Sequence, residues 1–242
     1  MNCPLKLSFC IQLLVISFFG VLLSCETKQV QETETDPAKI RITKHNVKQV
    51  LKQYGEEHKD SIISIETPYG IIKAALYTKT PLHRASFIRL INKGYFDSAD
   101  FYRIVPAMVI QGGHLDKRRM GLENYEIPHE IDPRWFHKRG ALAMAHRDES
   151  EGSSPYDFYI VQGSVFREDS VRSINKDTGY PLLLKQLKTY TTIGGVPHLD
   201  YHYTVFGEVI EGLNLVDSIA AEPLEENTEH PKNRIPIKIT IP

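Results

Sequence analysis

The sequence predicts a mainly β protein with about eight short strands and two main helices. Segments rich in β-branched and aromatic residues recur between residue 62 and the C-terminal end, and turn residues separate them. Helical spacing of apolar residues in this region is clearest at 81–93 and 213–221. About eight strands are enough to close a barrel whose interior is filled by side chains.

Composition indicates an ordinary globular protein without a basic surface. The 242 residues suit one domain with a tail. Hydrophobic residues make up 41% of the chain and charged residues 24%. Because the formal net charge is -1, there is no positive field to attract nucleic acid, and we expect no DNA or RNA partner.

The first residues have the pattern of an exported lipoprotein. Lys6 precedes an apolar run over 7–23, and a small residue and Cys25 follow. A membrane-spanning helix is the alternative, but a run of about 17 residues is at the lower limit for crossing a bilayer. The ending LLSC resembles the bacterial lipobox, in which cleavage precedes the cysteine and lipid is attached to it. We therefore expect a signal peptide at 1–24 and a membrane anchor on lipidated Cys25.

The segment after the leader predicts a tether in the bacterial cell envelope. Residues 25–40 are polar and cannot bury enough apolar surface to fold. Glu26, rather than the aspartate that retains lipoproteins in the inner membrane of enteric bacteria, favours the outer membrane facing the periplasm. All three cysteines lie in or at the end of the leader, so no disulfide framework is expected.

A short amphipathic helix is predicted within an N-terminal extension at 41–59. Its apolar residues have helical spacing: Val47, Val50, Leu51 and Tyr54. Asn46 suits the N-cap position, and Gly55 is expected to end the helix.

The domain itself begins with a predicted hairpin over 62–77, because hydrophobicity there alternates with a period of two around a turn at 68–70. The first main helix follows, with Thr80 as N-cap, Pro81 in its first turn and Gly94 at its end. Further strands are expected at 99–115, 140–146, 157–163, 203–210 and 235–241, and the second main helix at 213–221.

An arginine interrupts the apolar strand that begins at residue 99. Burying a guanidinium is costly unless it is paired, so Arg103 needs an explanation. If the strand register continues through Pro106, residues 103, 105, 109 and 111 share one face. Arg103 and Gln111 then lie on the same face, and Arg103 lies beside an apolar surface.

Four motifs occur in the same order as in the cyclophilins. FYRIVPAMVIQGG at 101–113 resembles the cyclophilin signature, and GALAMA at 140–145 resembles a strand of that family. SSPYDFYI at 153–160 and HLDYHYTVFGEVIEGLNLVDSI at 198–219 resemble two later segments. The resemblance covers about residues 60–242. It implies a closed eight-stranded antiparallel β-barrel capped by two α-helices, and peptidyl-prolyl cis-trans isomerase activity (EC 5.2.1.8) without a cofactor.

The chemistry of that reaction suits an arginine. Resonance in the X-Pro amide sets a rotation barrier of roughly 18–20 kcal/mol. A catalyst needs an apolar slot for the proline ring and a fixed donor that favours the twisted amide, in which the nitrogen lone pair is localised. A guanidinium is always charged and presents planar donors.

The resemblance implies that Arg103 stabilises the twisted amide and that Gln111 holds the substrate backbone and orients the arginine. The implied proline slot is lined by Met108, Val109, Tyr159, Leu199 and Tyr203. Ala145 and His146 match the pair whose backbone bonds the substrate. The alternatives are a structural salt bridge or an outward edge-strand arginine for Arg103, a polar strand end for Gln111, and ordinary core positions for the slot residues.

Several departures from the family pattern are expected to affect the site. Tyr102 replaces the usual histidine, and Asp157 stands where glutamine is usual. In the slot, Met108 replaces phenylalanine, Val109 replaces methionine, and Tyr203 replaces a histidine.

A long insertion at about 163–196 begins and ends near the expected slot. Its segment 181–190 suits a helical turn or two, and the insertion either shapes which chains enter or is a neutral surface feature.

The histidines do not predict a metal site. His129-Glu130 is followed by His137, eight residues after His129, so the spacing that places two ligands on one helical face is absent. The main hypothesis is an isomerase acting on proline-containing, unfolded or partly folded exported proteins. The alternative is a non-catalytic, proline-peptide-binding chaperone or scaffold of the cell envelope, which the altered slot residues motivate.

Overall fold

The structure is a computed structural model that describes residues 36–113, 125–146 and 150–242. The predicted signal peptide at 1–24, the lipidation site Cys25 and the tether up to residue 35 lie outside the described residues. In the described part of the chain, no helix combines the length and apolar character needed to cross a membrane.

The described residues contain strands and helices throughout their length. The strands are β1 (Ile62–Thr67), β2 (Gly70–Leu76), β3 (Ala99–Val105), β4 (Val109–Gly112), β5 (Ile127–Pro128), β6 (Ala141–Met144), β7 (Gly152–Ser153), β8 (Phe158–Val161), β9 (Val205–Glu211) and β10 (Ile235–Thr240). The helices are α1 (Val47–Glu57), α2 (Pro81–Asn92), α3 (Glu168–Thr178), α4 (Leu184–Thr192) and α5 (Leu213–Ala220). Short 3-10 turns occupy Tyr95–Ser98 and Pro197–Leu199.

Eight of the strands close an antiparallel barrel in the order β1-β10-β3-β4-β8-β6-β9-β2. This confirms the predicted fold class. The alternation of side chains fills the barrel: Ile63 and Ile65 of β1 are fully buried, Ile237 and Ile239 of β10 are buried, and Ile239 lies directly opposite Ile65. The short strands β5 and β7 pair separately outside the barrel.

The two main helices pack on the barrel core. Thr80 lies at the N-cap position of α2, as predicted, but its side chain makes no cap bond to the helix. Instead, the carboxylate of Glu130 accepts the backbone N–H groups of Leu82 (3.1 Å) and His83 (2.9 Å). A carboxylate at a helix N-terminus satisfies free donors and complements the helix dipole, so a residue far along the chain replaces the local cap.

The predicted N-terminal helix forms α1 and packs on α2. Asn46 makes no cap bond to the helix, and the helix continues past Gly55 to Glu57. A Cβ atom at Gly55 would lie 3.1 Å from the Cβ atom of Ala85 in α2. This glycine therefore allows two helices to approach closely, and the prediction that it ends the helix was wrong.

The insertion at about 163–196 contains both α3 and α4. The sequence predicted helical turns only where α4 lies. Together these helices bury a small apolar cluster of their own beside the barrel, which contains Phe136, Val171 and Tyr190 with Phe166, Leu182 and Leu187 packed against them.

Candidate active site

The hairpin of β3 and β4 positions the two polar residues at the centre of the site. Arg103 pairs across the strands with Gln111, and Val105 pairs with Val109. Directly opposed residues of an antiparallel pair lie on one face, so Arg103 and Gln111 share a face as expected. The prediction of one continuous strand over 99–115 was wrong, because the chain turns at 106–108 and returns as β4. The turn between the strands contains Ala107, whose backbone has a φ of 63°.

Arg103 is held at two of its three guanidinium nitrogens. Its Nη1 donates to Oε1 of Gln111 at 3.0 Å, and its Nε donates to Oε2 of Glu229 at 2.6 Å. The side chain of Arg103 is 37% exposed. Arg103 therefore forms an ion pair, as one alternative proposed. The edge-strand alternative was wrong, because β3 is paired with β10 and β4 in the closed barrel. The role of Arg103 in the reaction stays a prediction.

A β-bulge brings a second side chain of β3 to Gln111. The strand register shifts between Phe101 and Arg103, so Tyr102 is the extra residue of the bulge. Nε2 of Gln111 donates to the hydroxyl of Tyr102 at 2.6 Å, and this hydroxyl donates to Oδ1 of Asp157 at 3.2 Å. Tyr102 and Asp157, two of the departures from the family pattern, are thus partners of each other and fix the orientation of Gln111.

Burial of its ring, together with the charge of Asp157, raises the pKa of Tyr102. The phenol therefore keeps its proton and its donor role at neutral pH. We call the connected residues the arginine network: Arg103, Gln111, Tyr102, Asp157 and Glu229.

The predicted slot residues lie together in one apolar cluster on the outside of the barrel. Val109, Tyr159 and Leu199 are buried members, and Met108, Ala145 and Tyr203 are partly buried and pack against them. Strand pairing places Tyr159 directly opposite Gln111, so the apolar cluster continues from the arginine network without a gap in the sheet.

Aromatic rings build one wall of this cluster. The ring of Tyr203 stacks on that of His146 with 4.3 Å between centroids, and it meets Tyr159 edge-on at 5.9 Å. Such rings offer a flat apolar surface to a proline ring. The backbone N–H of Ala145 already donates to the carbonyl of Asp157 at 2.9 Å. The carbonyl of Ala145 accepts one hydrogen bond, from the N–H of Ser154 at 2.8 Å, and its second lone pair can accept another from a peptide.

A second hydrogen-bond network lies behind this wall and is centred on Asp200. Its Oδ1 accepts the backbone N–H of His137 at 2.9 Å and lies 2.8 Å from Nδ1 of the same residue. With Nδ1–H donating to the carboxylate, Nε2 of His137 accepts from the hydroxyl of Tyr159 at 2.9 Å. The other carboxylate oxygen accepts from Tyr190 at 2.7 Å and from Gln186 at 3.3 Å.

These five residues form what we call the aspartate network: Asp200, His137, Tyr159, Gln186 and Tyr190. All of them are buried. Gln186 and Tyr190 belong to α4, so the network joins the insertion to the slot residue Tyr159. Burial, together with the charge of Asp200, raises the pKa values of Tyr159 and Tyr190, which keeps both hydroxyls protonated as donors.

The sequence predicted the slot and the Arg103–Gln111 pair, but it missed Glu229 and the aspartate network. Glu229 lies 126 positions from Arg103 in a polar segment, where no local pattern marks it. In the described part of the chain, no group of three or more His, Cys, Asp or Glu side chains is arranged to hold a metal ion.

A family model described as "Cyclophilin type peptidyl-prolyl cis-trans isomerase/CLD" matches residues 62–241. The chain belongs to this family. A match over nearly the whole described domain agrees with the closed barrel and confirms the resemblance drawn from the four motifs.

Relatives among curated proteins carry the name of the same activity. A Streptococcus pyogenes protein named as a bifunctional phosphatase/peptidyl-prolyl cis-trans isomerase is 30% identical over 171 residues, which are 68% of this chain and 35% of the relative. The chain thus spans about a third of that relative's length. A relative from Staphylococcus saprophyticus named as a peptidyl-prolyl cis-trans isomerase is 33% identical, over 56% of this chain and 68% of the relative. A relative of the same name from Staphylococcus aureus is 30% identical, over 64% of this chain and 84% of the relative.

A solved cyclophilin-type isomerase from Cryptosporidium parvum has the same fold. It was crystallised in the presence of the dipeptide Ala-Pro. The TM-score is 0.55 at 22% identity, and the match covers 75% of this chain and 98% of that protein. At this identity the likeness concerns the fold alone.

Proposed function

We propose that the protein is a peptidyl-prolyl cis-trans isomerase that accelerates rotation about X-Pro bonds in unfolded or partly folded exported proteins. The observation that carries this proposal is a half-exposed arginine held by Gln111 at the edge of an apolar cluster. The family match and the names of the relatives support the activity.

The geometry supports a mechanism by transition-state stabilisation. The proline ring is bound by the apolar cluster around Val109, Tyr159 and Leu199. During rotation the amide loses its resonance, and the lone pair on the proline nitrogen becomes a hydrogen-bond acceptor. Because Gln111 and Glu229 engage Nη1 and Nε of Arg103, the N–H groups on Nη2, which have no partner in the described part of the chain, donate to this nitrogen.

Isomerisation of a short X-Pro peptide, measured by exchange NMR, tests the proposal. Wild-type protein should accelerate exchange, and Arg103→Ala should lose most of the acceleration. Arg234→Ala is a matched control, because Arg234 lies outside the site, is 61% exposed and pairs with Asp100 at the other end of β3. Absence of acceleration by the wild type, with suppression of client aggregation retained, would instead favour the proline-binding chaperone.

The proposed location is the cell envelope, where Cys25 carries lipid and places the domain in the periplasm at the outer membrane. The leader pattern of the sequence supports this location. Growth of an expressing bacterium with labelled palmitate should label the wild-type protein and leave Cys25→Ala unlabelled. Equal labelling of both proteins, or labelling of neither, would contradict lipidation at this residue.

A further inference from the structure

A turn ahead of β10 carries the acidic partner of Arg103. The turn is closed by backbone hydrogen bonds from Lys232 to Pro223 (2.8 Å) and from Glu225 to His230 (2.9 Å). Glu229 lies between these bonds, near the end of the turn. The position of its backbone is therefore set by the turn itself and does not depend on the contact with the guanidinium.

The same turn is attached to β3 on both sides of Arg103. The N–H of Ile104 donates to the carbonyl of Glu229 at 2.7 Å. Nδ1 of His230 donates to the carbonyl of Tyr102 at 2.8 Å. These two bonds hold the carboxylate of Glu229 beside Nε of Arg103, at 2.6 Å.

We propose that Glu229 is a positioning residue for the isomerase reaction, an inference that rests on the proposed function. The side chains of Arg103 and Glu229 are 37% and 48% exposed, and ion pairs at such exposure contribute little to stability. What the pair supplies is orientation. An arginine side chain is long and flexible, and one contact with Gln111 leaves its plane free to rotate about that bond.

With a carboxylate at Nε and an amide oxygen at Nη1, the guanidinium plane is fixed at two points on different edges. The two N–H groups of the remaining nitrogen, Nη2, then point in fixed directions. Fixing a donor before the reaction avoids reorganisation during it, so the effect should appear in kcat more than in substrate binding.

The test compares Glu229→Ala, Glu229→Gln and the control Glu226→Ala by exchange NMR on an X-Pro peptide. Glu226 lies in the same turn and is exposed. Its substitution by alanine removes one negative charge from that turn, as Glu229→Ala does. We expect Glu229→Ala to lower kcat by about tenfold with KM within about twofold. Glu229→Gln should keep most of kcat because its amide oxygen accepts the same N–H, and Glu226→Ala should match the wild type.

The guanidinium itself provides a direct readout. The Nε–Hε resonance of Arg103 should be shifted and protected from exchange in the wild type and in Glu229→Gln, and should move in Glu229→Ala. In an Arg103→Ala background, Glu229→Ala should change kcat no further.

The outcomes separate the two proposals. An active wild type whose kcat and Arg103 resonance are unchanged by Glu229→Ala would overturn the positioning role alone. A kcat that rises in Glu229→Ala would also overturn it, because the carboxylate would then compete with the substrate. A wild-type protein without isomerase activity would overturn the proposed function and this inference together.

Discussion

The arginine network and the aspartate network flank the same slot but differ in exposure. Arg103 is 37% exposed and Glu229 48%, whereas Asp200 is 5% exposed and its partner His137 1%. Each network centres on a charged residue held by polar partners, and the clearest difference between the two is their exposure to solvent.

This difference indicates a division of roles. Polar contacts in water exchange with solvent and contribute little to stability, but they leave donors accessible to a substrate. Polar contacts in the interior are costly to break, and they fix the groups that they join. We therefore assign chemistry to the arginine network, and we assign rigidity of the slot wall and attachment of the insertion to the aspartate network.

The largest expected effect on stability comes from Asp200→Ala. The substitution leaves buried donors of His137, Gln186 and Tyr190 without their acceptor. We expect the free energy of unfolding to fall by about 3–5 kcal/mol, measured by urea denaturation.

Asp200→Asn is the matched variant for this test, because it keeps one acceptor oxygen at nearly the same volume. Its loss should be clearly smaller than that of Asp200→Ala. If Asp200→Ala costs less than about 1 kcal/mol, the buried network does not fix the slot wall and the contrast between the two networks disappears.

A smaller effect is expected at the turn that joins the strands of the arginine network. Ala107 has a φ of 63°, a conformation that costs an L-residue about 1–2 kcal/mol and costs glycine little. Ala107→Gly should therefore be neutral or stabilise the protein by up to about 1 kcal/mol, after the greater freedom of glycine in the unfolded chain is subtracted.

The control is Ala75→Gly in β2, at a half-buried position without positive φ. There the usual loss of about 0.5–1 kcal/mol is expected in the same denaturation experiment. Equal losses at residues 75 and 107 would show that the turn holds no strain.

Much of the fold could be predicted because it depends on local patterns. The hairpin, the two main helices and most barrel strands follow from periodic hydrophobicity and turn residues, whereas β3 and β4 were predicted as one strand. Helix α3 could not be found in this way, since Val171 is its one buried residue and, apart from Ile174, the rest of its sequence is polar. Gly55 was misinterpreted because a helix ending and a close helix–helix contact select the same residue.

The site was predictable to the extent that strand pairing determines it. Arg103 and Gln111 share a face, as alternation predicted, but their direct pairing depends on the turn between β3 and β4, which the prediction of one strand missed. The position of the Tyr102 side chain could not be predicted from alternation, because a β-bulge reverses the alternation at that residue. Glu229 lies in a turn 126 positions from Arg103, and a local sequence pattern does not predict a contact over that distance.

The central claim is that Arg103 acts on the substrate and not on the fold. The most direct measurement is kcat/KM of Arg103→Ala by exchange NMR, together with its free energy of unfolding. We expect kcat/KM to fall by about 10²–10³-fold, as for loss of one fixed donor to a developing charge, while the unfolding free energy stays within about 0.5 kcal/mol of the wild type. Unchanged kcat/KM, or a loss of activity that follows a loss of stability, would contradict the claim.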